Sequence, residues 1–475
     1  MDFDSFPARM WPVVLLALGL SGCAATGARV TGEQAASATS AQEGSVAAKP
    51  FPSTYKPLAS KPTLIKNATV LTATGEQIAP GAVLMDNGKI VAVGRNLTAP
   101  DGAVVIDGTG KWVTPGIIDV HSHLGVYASP HVKATADGNE VSDPNTAQVW
   151  SEHGTWPQDP QFSRALAGGV TALQILPGSA NLFGGRSVVL KDVPARTVQA
   201  MKFPGAPQGL KMACGENPKR VYGSKGRAPY SRMGDVAGYR AAWAKAVDYK
   251  RNWERYYEKK KKDKNAKPPK RDLQMETLVG ALNGKILVHM HCYRADEMAT
   301  ILDVAKEFGY KVTAFHHAVE AYKVADILAK NGVCAVMWAD WWGFKLEAYD
   351  GIKENIPLVD AAGACAIVHS DSAVGIQWLN QGASKALAAG NAAGLNISKA
   401  HAIQWITLNP AKALGIDKQT GSLEPGKMAD VVLWTGDPFS VYTHAEKVFI
   451  DGALIYDRDN PALQPVTDFE LGQGR

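Results

Sequence analysis

Eight short apolar segments alternate with helix-like stretches through the middle of the chain, and this alternation restricts the fold more than any other feature. The segments are residues 117–120, 170–176, 187–191, 210–214, 286–290, 312–316, 333–338 and 365–369. Such runs indicate buried strands, and eight strand–helix repeats are typical of a closed parallel (β/α)8 barrel, or TIM barrel. A doubly wound open sheet is the alternative, but the glycine-rich motif of its first strand-to-helix turn is missing. The sequence therefore predicts an α/β fold with a barrel over residues 115–419.

A histidine pair ends the first of these strands. His121 and His123 directly follow the apolar run at residues 117–120. Side chains two residues apart in an extended chain point to the same side, so both imidazoles should project from the carboxyl end of the strand. Two neutral imidazoles aimed at one point form half of a site for a first-row metal ion. A chance pair of surface histidines is the alternative.

Later strand ends carry further potential ligands, which favour the metal site. They are His289, His291, His316, His317, His369 and Asp371, with Glu216 just after the fourth strand. A lone buried histidine is usually an ordinary core residue. Imidazoles and carboxylates at several strand ends indicate one shared site instead.

Both ends of the fold are rich in strand signals. Asn87-Gly88 separates two apolar runs near the start, and Asp451-Gly452 does so near the end. Such dipeptides favour tight hairpin turns. Residues 61–114 and 420–460 are therefore predicted to form one small β-sandwich from both ends of the mature chain.

The first residues are predicted to direct export. Residues 13–20 form an apolar run too short to span a bilayer, and they lead into Leu20-Ser-Gly-Cys23. This stretch resembles a bacterial lipobox, so residues 1–22 are predicted to be a signal peptide and Cys23 the lipidated first residue. A signal cleaved without lipidation is the alternative. Residues 23–60, rich in Ala, Ser and Thr, are predicted to be a flexible tether, and Ala24 favours a lipoprotein on the periplasmic side of the outer membrane.

Positive charge is concentrated in one segment, although the whole chain has a net charge of only +5. Residues 240–272 hold 13 basic and five acidic residues. The segment near 238–272 is predicted to be a basic helical insertion, solvated or in contact with anionic lipid, and no nucleic-acid partner is expected for an exported protein.

Four cysteines besides Cys23 are widely spaced within apolar segments. They are Cys214, Cys292, Cys334 and Cys365. This spacing predicts buried free thiols, with one disulfide as the alternative in an oxidising compartment.

Two stretches carry a family resemblance. Residues 113–125 (VTPGIIDVHSHLG) and 421–430 (GSLEPGKMAD) resemble signature stretches of the amidohydrolase superfamily, specifically its imidazolonepropionase-like metal-dependent hydrolases. The likeness runs from about residue 63 to residue 457 and implies a (β/α)8 barrel beside a β-sandwich. It also implies one or two divalent ions, with zinc expected.

The resemblance implies a role for each candidate residue. His121 and His123 would bind a first ion, His289 and His317 a second, and Asp371 the first ion while acting as catalytic base.

Two choices between neighbouring residues follow from the same resemblance. His317 is preferred to His316 because the following residues resemble the family's stretch after the sixth strand. His289 is preferred to His291, which would then face the substrate.

The bridging ligand is either a carboxylated Lys211 or Glu216, and Glu216 is preferred because it offers a ready carboxylate.

This ligand set predicts hydrolysis of C–N bonds. Divalent ions lower the pKa of bound water, the hydroxide attacks a carbonyl, and Asp371 passes the proton to the leaving nitrogen. Arg294 and Tyr293 could receive a substrate carboxylate, which favours a dipeptide or N-acyl amino acid, with a cyclic amide also considered. An ion pair on the following helix is the alternative for Arg294.

Two other functions are alternatives, a deaminase and a non-catalytic lipoprotein. Deaminases of the superfamily carry an acid three residues after the histidine of the fifth strand, where this chain has Cys292 or Arg294. A metal-bearing surface lipoprotein without turnover is disfavoured because all expected ligands are present. The sequence leaves the oligomeric state open, a homo-oligomer included.

Overall fold

The computed structural model describes residues 50–464, so the predicted signal peptide, Cys23 and the tether up to residue 49 lie outside the described residues. The strands are β1 (Thr63–Leu71), β2 (Gln77–Asp86), β3 (Lys89–Gly94), β4 (Val104–Asp107), β5 (Trp112–Pro115), β6 (Ile117–Ser122), β7 (Val170–Ile175), β8 (Phe183–Arg186), β9 (Val188–Lys191), β10 (Gly209–Ala213), β11 (Leu287–Cys292), β12 (Val312–His317), β13 (Cys334–Met337), β14 (Cys365–Val368), β15 (Val431–Trp434), β16 (Ala445–Ile450) and β17 (Ala453–Asp457).

Helices follow most strands of the middle region. They are α1 (Pro160–Ala167), α2 (Val198–Met201), α3 (Glu216–Gly223), α4 (Arg232–Lys262), α5 (Leu273–Leu282), α6 (Ala295–Phe308), α7 (Ala325–Asn331), α8 (Asn355–Ala361), α9 (Leu379–Ala392), α10 (Lys399–Ala402) and α11 (Leu408–Ala413). Within residues 50–464, no helix combines the length and the apolar character that crossing a bilayer requires.

The middle region is an α/β structure with mixed sheets. Strands β10 to β14 are consecutive parallel neighbours, and β6 pairs in parallel with β7. The end of β14 approaches β6, since the amide of Asp371 donates to the carbonyl of His121 at 3.2 Å. The predicted site residues lie on or just after β6, β10, β11, β12 and β14.

The third predicted strand runs against its neighbours. Residues 187–191 were predicted to be parallel, but β9 is antiparallel to β7, and β8 is antiparallel to β10. The physical reason is that residues 176–187, which connect β7 to β9, hold only β8 and no helix. A parallel return usually needs a crossover helix, so the chain doubles back instead.

Strands from both ends of the chain lie side by side in one sheet. Its order is β17-β16-β15-β5-β1-β2-β3, with β4 on β1. The link between the ends is the antiparallel pair β5–β15, in which Pro115 faces Val431. Strand β1 changes partner along its length, because Thr63 to Lys66 pair with β4 and Thr69 and Val70 pair with β5.

Strand β6, which carries His121, is enclosed along its whole length. All six of its residues are buried. At Gly116, just before it, a Cβ atom would lie 2.0 Å from Oγ1 of Thr171. Only glycine allows the neighbouring strand to approach this closely, which explains the Pro-Gly step before the histidine pair.

The basic segment is largely the long helix α4. Ser231 caps its start by accepting from the amide of Gly234. Its first half belongs to the core, where Trp243 is fully buried and stacks on Tyr310 with ring centroids 4.2 Å apart. Its second half is exposed and ends in four consecutive lysines. The helix thus begins before residue 238, and only its second half projects from the fold.

The four described cysteines form two disulfides, so the prediction of free thiols is wrong. Cys214 pairs with Cys292, and Cys334 pairs with Cys365. Cys334 and Cys365 are register partners on the parallel strands β13 and β14. Sequence spacing does not reveal which strands are neighbours, and therefore did not reveal these pairs.

The end of the predicted tether packs on the fold. The amide of Thr54 donates to the carbonyl of Gln199 at 2.9 Å, and the hydroxyl of Tyr55 donates to Asp451 at 2.5 Å. The tether prediction is therefore wrong for these residues, because hydrogen bonds hold them in place.

Candidate metal centre

A carboxylate lies among three imidazoles where the strands end. Oδ1 of Asp371 lies 3.4 Å from Nε2 of His121 and 3.3 Å from Nε2 of His123. Oδ2 of Asp371 lies 3.7 Å from Nδ1 of His317. The two imidazoles of the His-x-His stretch are themselves 3.3 Å apart at Nε2. The predicted first-metal ligands are thus neighbours in space.

Two overlapping groups of ligand atoms have the spacing of a metal site. His121, His123 and Asp371 form one, and His121, His317 and His369 form the other, each with ligand atoms within 4.8 Å of one another. His121 belongs to both. The pattern suits two ions close together or one ion with alternative ligands.

An uncommon backbone conformation directs the side chains of His317 and Asp371 towards His121. His317 has φ of 69° and Asp371 has φ of 48°, values that residues other than glycine adopt uncommonly. Each follows or ends a buried strand, β12 and β14 respectively. The strands hold this local strain, which turns both side chains towards His121.

His316 is engaged by two other histidines. Its Nδ1 lies 2.8 Å from Nδ1 of His121, and its Nε2 lies 2.9 Å from Nδ1 of His289. Both ring nitrogens are therefore used in orienting neighbours. The adjacent His317, in contrast, leaves a buried Nδ1 without a hydrogen-bond partner.

The buried histidines have the protonation state that a metal ion requires. Burial is the main cause that lowers the pKa of each, to about 3 for His289 and His369, and well below the usual value for His121, His291, His316 and His317. Neutral imidazoles keep a lone pair free for coordination.

Several of their nitrogens also lack any hydrogen-bond partner. These are Nε2 of His289, both nitrogens of His291, Nδ1 of His317 and both nitrogens of His369. Buried polar atoms are rarely left unpaired, because desolvating them is costly. The donor set therefore fits one or two divalent cations.

Lys211 lies with the histidines, whereas Glu216 does not. Lys211 is fully buried on β10 as the register partner of His289, and its Nζ donates to the carbonyl of Pro177 at 3.1 Å. Burial lowers the pKa of Lys211 to about 7. The carboxylate of Glu216 lies 3.3 Å from Nζ of Lys345, and Glu216 belongs to neither ligand group.

Of the three residues predicted to bind substrate, two contact a histidine of the candidate centre and one pairs elsewhere. His291 packs edge-on against His317, and Tyr293 stacks on His317 with centroids 5.4 Å apart. Arg294 instead pairs with Asp296 on α6 at 2.9 and 3.0 Å, which is the alternative considered for it.

Lys345 is a cation near the site that sequence reasoning missed. Its Nζ lies 4.1 Å from the ring centroid of Tyr293, and its charge contributes to the lowered pKa of His291. It comes from the loop after β13, far from any ligand in sequence, so spacing offered no signal. His369 was also left out as a ligand, although its position at the end of β14 was visible.

Comparison with known proteins points to one family. Residues 276–455 match the Amidohydrolase family. A crystal structure of an amidohydrolase from Thermotoga maritima is 37% identical, covers 83% of this chain and 100% of its own, and superposes with a TM-score of 0.76.

Curated relatives share parts of the chain. An amidohydrolase, tasK, from Hapsidospora irregularis is 32% identical over 84% of this chain and 43% of its own. A 5-methylthioadenosine/S-adenosylhomocysteine deaminase from Bacillus cereus is 35% identical over 24% of this chain and 25% of its own. The chain thus spans less than half of the length of these curated relatives.

Proposed function

Because the chain belongs to the amidohydrolase family, we propose that it is a metal-dependent hydrolase of amide C–N bonds in a small molecule. The observation that carries the proposal is Asp371, an acid held 3.3–3.7 Å from three imidazole nitrogens. A carboxylate there can both coordinate an ion and move a proton.

We assign ligands as follows. His121, His123 and Asp371 would hold one ion, and His289, His317 and Lys211, the last as a carboxylated amine, would hold the second. His369 is an additional candidate ligand, because it lies with His121 and His317. Such an ion supplies acidified water and polarises a carbonyl oxygen.

Lys211 rather than Glu216 is the proposed bridge. A carboxylated lysine forms when a neutral amine adds to carbon dioxide, and a pKa of about 7 leaves much of this amine neutral near pH 7. Its burial beside His289 supports the same assignment.

Asp371 accepts the proton of the attacking water and delivers it to the leaving nitrogen, since an amine leaves poorly without one. His316 keeps the rings of His121 and His289 oriented. Lys345 and Tyr293 are the proposed receptors of a substrate carboxylate, which would replace Glu216 as the partner of Lys345. Such a receptor favours a dipeptide or an N-acyl amino acid over a cyclic amide.

Two further features of the protein are part of the proposal. The strands of the middle region would form a closed barrel, which the contact between Asp371 and His121 supports. The strands from both chain ends would form a two-layer sandwich beside it. The chain would be an exported lipoprotein anchored at Cys23. Two disulfides support export, because such bonds persist in oxidising compartments.

Deamination is the second candidate, because deaminases are among the relatives. Deaminases place an acid three residues after the histidine that corresponds to His289 on β11. This chain has Cys292 at that position, bound in a disulfide. That substitution favours amide hydrolysis.

The test is metal analysis combined with a substrate panel. The purified protein is assayed for metal content and for hydrolysis of dipeptides, N-acyl amino acids, cyclic amides and aminopurines, before and after chelation. We expect one or two divalent ions per chain and turnover of an amide that chelation abolishes and zinc restores. Ammonia release from aminopurines alone would favour the deaminase. Bound metal without any turnover would favour a binding protein.

A further inference from the structure

A cavity of about 420 Å³ reaches the candidate centre at His369, which lines it and belongs to one of the two ligand groups. Ser370 and Ser372, the chain neighbours of Asp371, also contribute to its wall. A group bound in this cavity would therefore lie against a candidate metal ligand. The volume suits one bulky side group of a small molecule.

Three tryptophans form much of the remaining wall. Trp338, Trp341 and Trp378 all line the cavity. Trp341 is 44% exposed and Trp378 is 49% exposed, and neighbouring Val374 is 54% exposed. Several large apolar side chains that are exposed to solvent and line the same cavity indicate a binding surface. Their flat faces suit an aromatic ring.

The tryptophan wall is tied directly to the metal-site residues. Trp338 stacks on His317 with centroids 4.5 Å apart and lies 5.0 Å from His369. Its Nε1 donates to the carbonyl of Ser370 at 3.2 Å. The cavity and the candidate centre thus share one rigid wall.

The charged residues of the cavity neutralise each other. Nζ of Lys385 lies 2.5 Å from Oδ2 of Asp340, and both residues line the cavity. An ionic group would gain little from such a pair. Apart from this pair, Gln381, His369 and two serines, the wall is apolar, so it favours an uncharged and largely apolar group.

We propose that this cavity binds an aromatic or bulky apolar side group of the substrate, next to the amide bond that is cleaved. The inference rests on the proposed function and deepens it. The substrate class becomes an amide derivative of an aromatic or large apolar amino acid.

The test measures binding independently of turnover. Affinities of N-acetyl-phenylalanine and N-acetyl-alanine for the metal-loaded protein are compared by calorimetry, in the parent, Trp378→Ala and Trp341→Ala. Tyr230→Ala is the matched control, because Tyr230 is a 77% exposed aromatic residue that does not line the cavity. Both tryptophans are about half exposed, so neither replacement should unfold the protein.

We expect the parent and Tyr230→Ala to prefer the phenylalanine probe by about tenfold or more, the scale of burying a phenyl ring. Either tryptophan variant should reduce that preference to about threefold or less. Equal affinity for both probes in the parent, or a full preference in both variants, would overturn the inference. A preference without turnover of any amide would count against the proposed function alone.

Discussion

At the scale of single residues, Asp371 is the acid that lies among the imidazoles of the candidate centre. It faces three imidazoles at 3.3–3.7 Å, and its backbone is held by the carbonyl of His121. Asn at this position would keep the shape and one coordinating oxygen but would not accept a proton.

We therefore expect Asp371→Asn to keep its fold and some metal while kcat falls about a hundredfold or more, the usual scale for a lost general base. Metal content, a melting curve and amide hydrolysis on one preparation measure this. Turnover like that of the parent would contradict the proposed mechanism, and joint loss of fold and metal would mean a structural ligand.

The bridging ligand can be decided by a pair of variants. Lys211 is buried beside His289, whereas Glu216 pairs with Lys345. Lys211→Met should therefore lose much of the second ion, and Lys211→Glu should retain more of it because a carboxylate is restored. Glu216→Gln should keep the full metal content. Metal analysis decides, and the reverse pattern would make Glu216 the bridge.

Asp235 predicts a pH dependence of stability. It is 2% exposed, and burial, with repulsion from Glu297, raises its pKa to about 8. The folded state then binds a proton that the unfolded state releases near pH 4. Stability from this group is present at low pH and is lost as pH rises towards 8.

Asp235→Asn should thus raise the melting temperature by a few degrees at pH 8 and change it little at pH 4. The matched control is Asp248→Asn on the same helix, where the side chain is 74% exposed. Melting curves of the three proteins from pH 4 to pH 8.5 measure the effect. An equal shift at all pH values would contradict the assigned cause.

At the scale of elements, α4 combines a core segment with an exposed basic end. In the exposed half, Trp253, Tyr256 and Tyr257 contact one another, with centroids 5.3–5.7 Å apart. These rings cover each other rather than the site.

Replacing residues 251–270 by a short Gly/Ser link should therefore leave a soluble, metal-loaded protein with turnover within about twofold of the parent, since no site residue is removed. In contrast, Trp243→Ala in the buried half should destabilise the fold by about 3–5 kcal/mol. Assays and denaturant curves compare them. Loss of turnover with metal retained would show that the exposed half belongs to the active site.

At the scale of the whole molecule, one buried lysine joins the middle region to the sheet made from both chain ends. Nζ of Lys191, on β9, lies 2.9 Å from Asp430 and 3.0 Å from Asp451. The lysine and Asp430 are fully buried, and Asp451 also accepts from Tyr55.

Lys191→Met would leave two buried carboxylates without a cationic partner, and we expect a loss of about 3–5 kcal/mol in the free energy of unfolding. Lys261→Met, which removes an exposed pair with Glu258, should change this free energy far less. Chemical denaturation of both variants measures the difference. Equal costs would mean that the buried network contributes no more than a surface pair.

Local sequence determined much of the fold and part of the site. Apolar runs correctly indicated the strands from β10 to β14, because an apolar composition alone indicates that a short segment is buried. The His-x-His stretch placed two imidazoles on one side because alternation along an extended chain is a local property.

Tertiary structure alone decided what depends on contacts between distant segments. It paired the four cysteines, reversed β9, and brought Lys211 rather than Glu216 to the histidines. It also placed Lys345 over Tyr293. The choice among such partners depends on strand adjacency, side-chain direction and desolvation, and these arise only when the whole chain is packed.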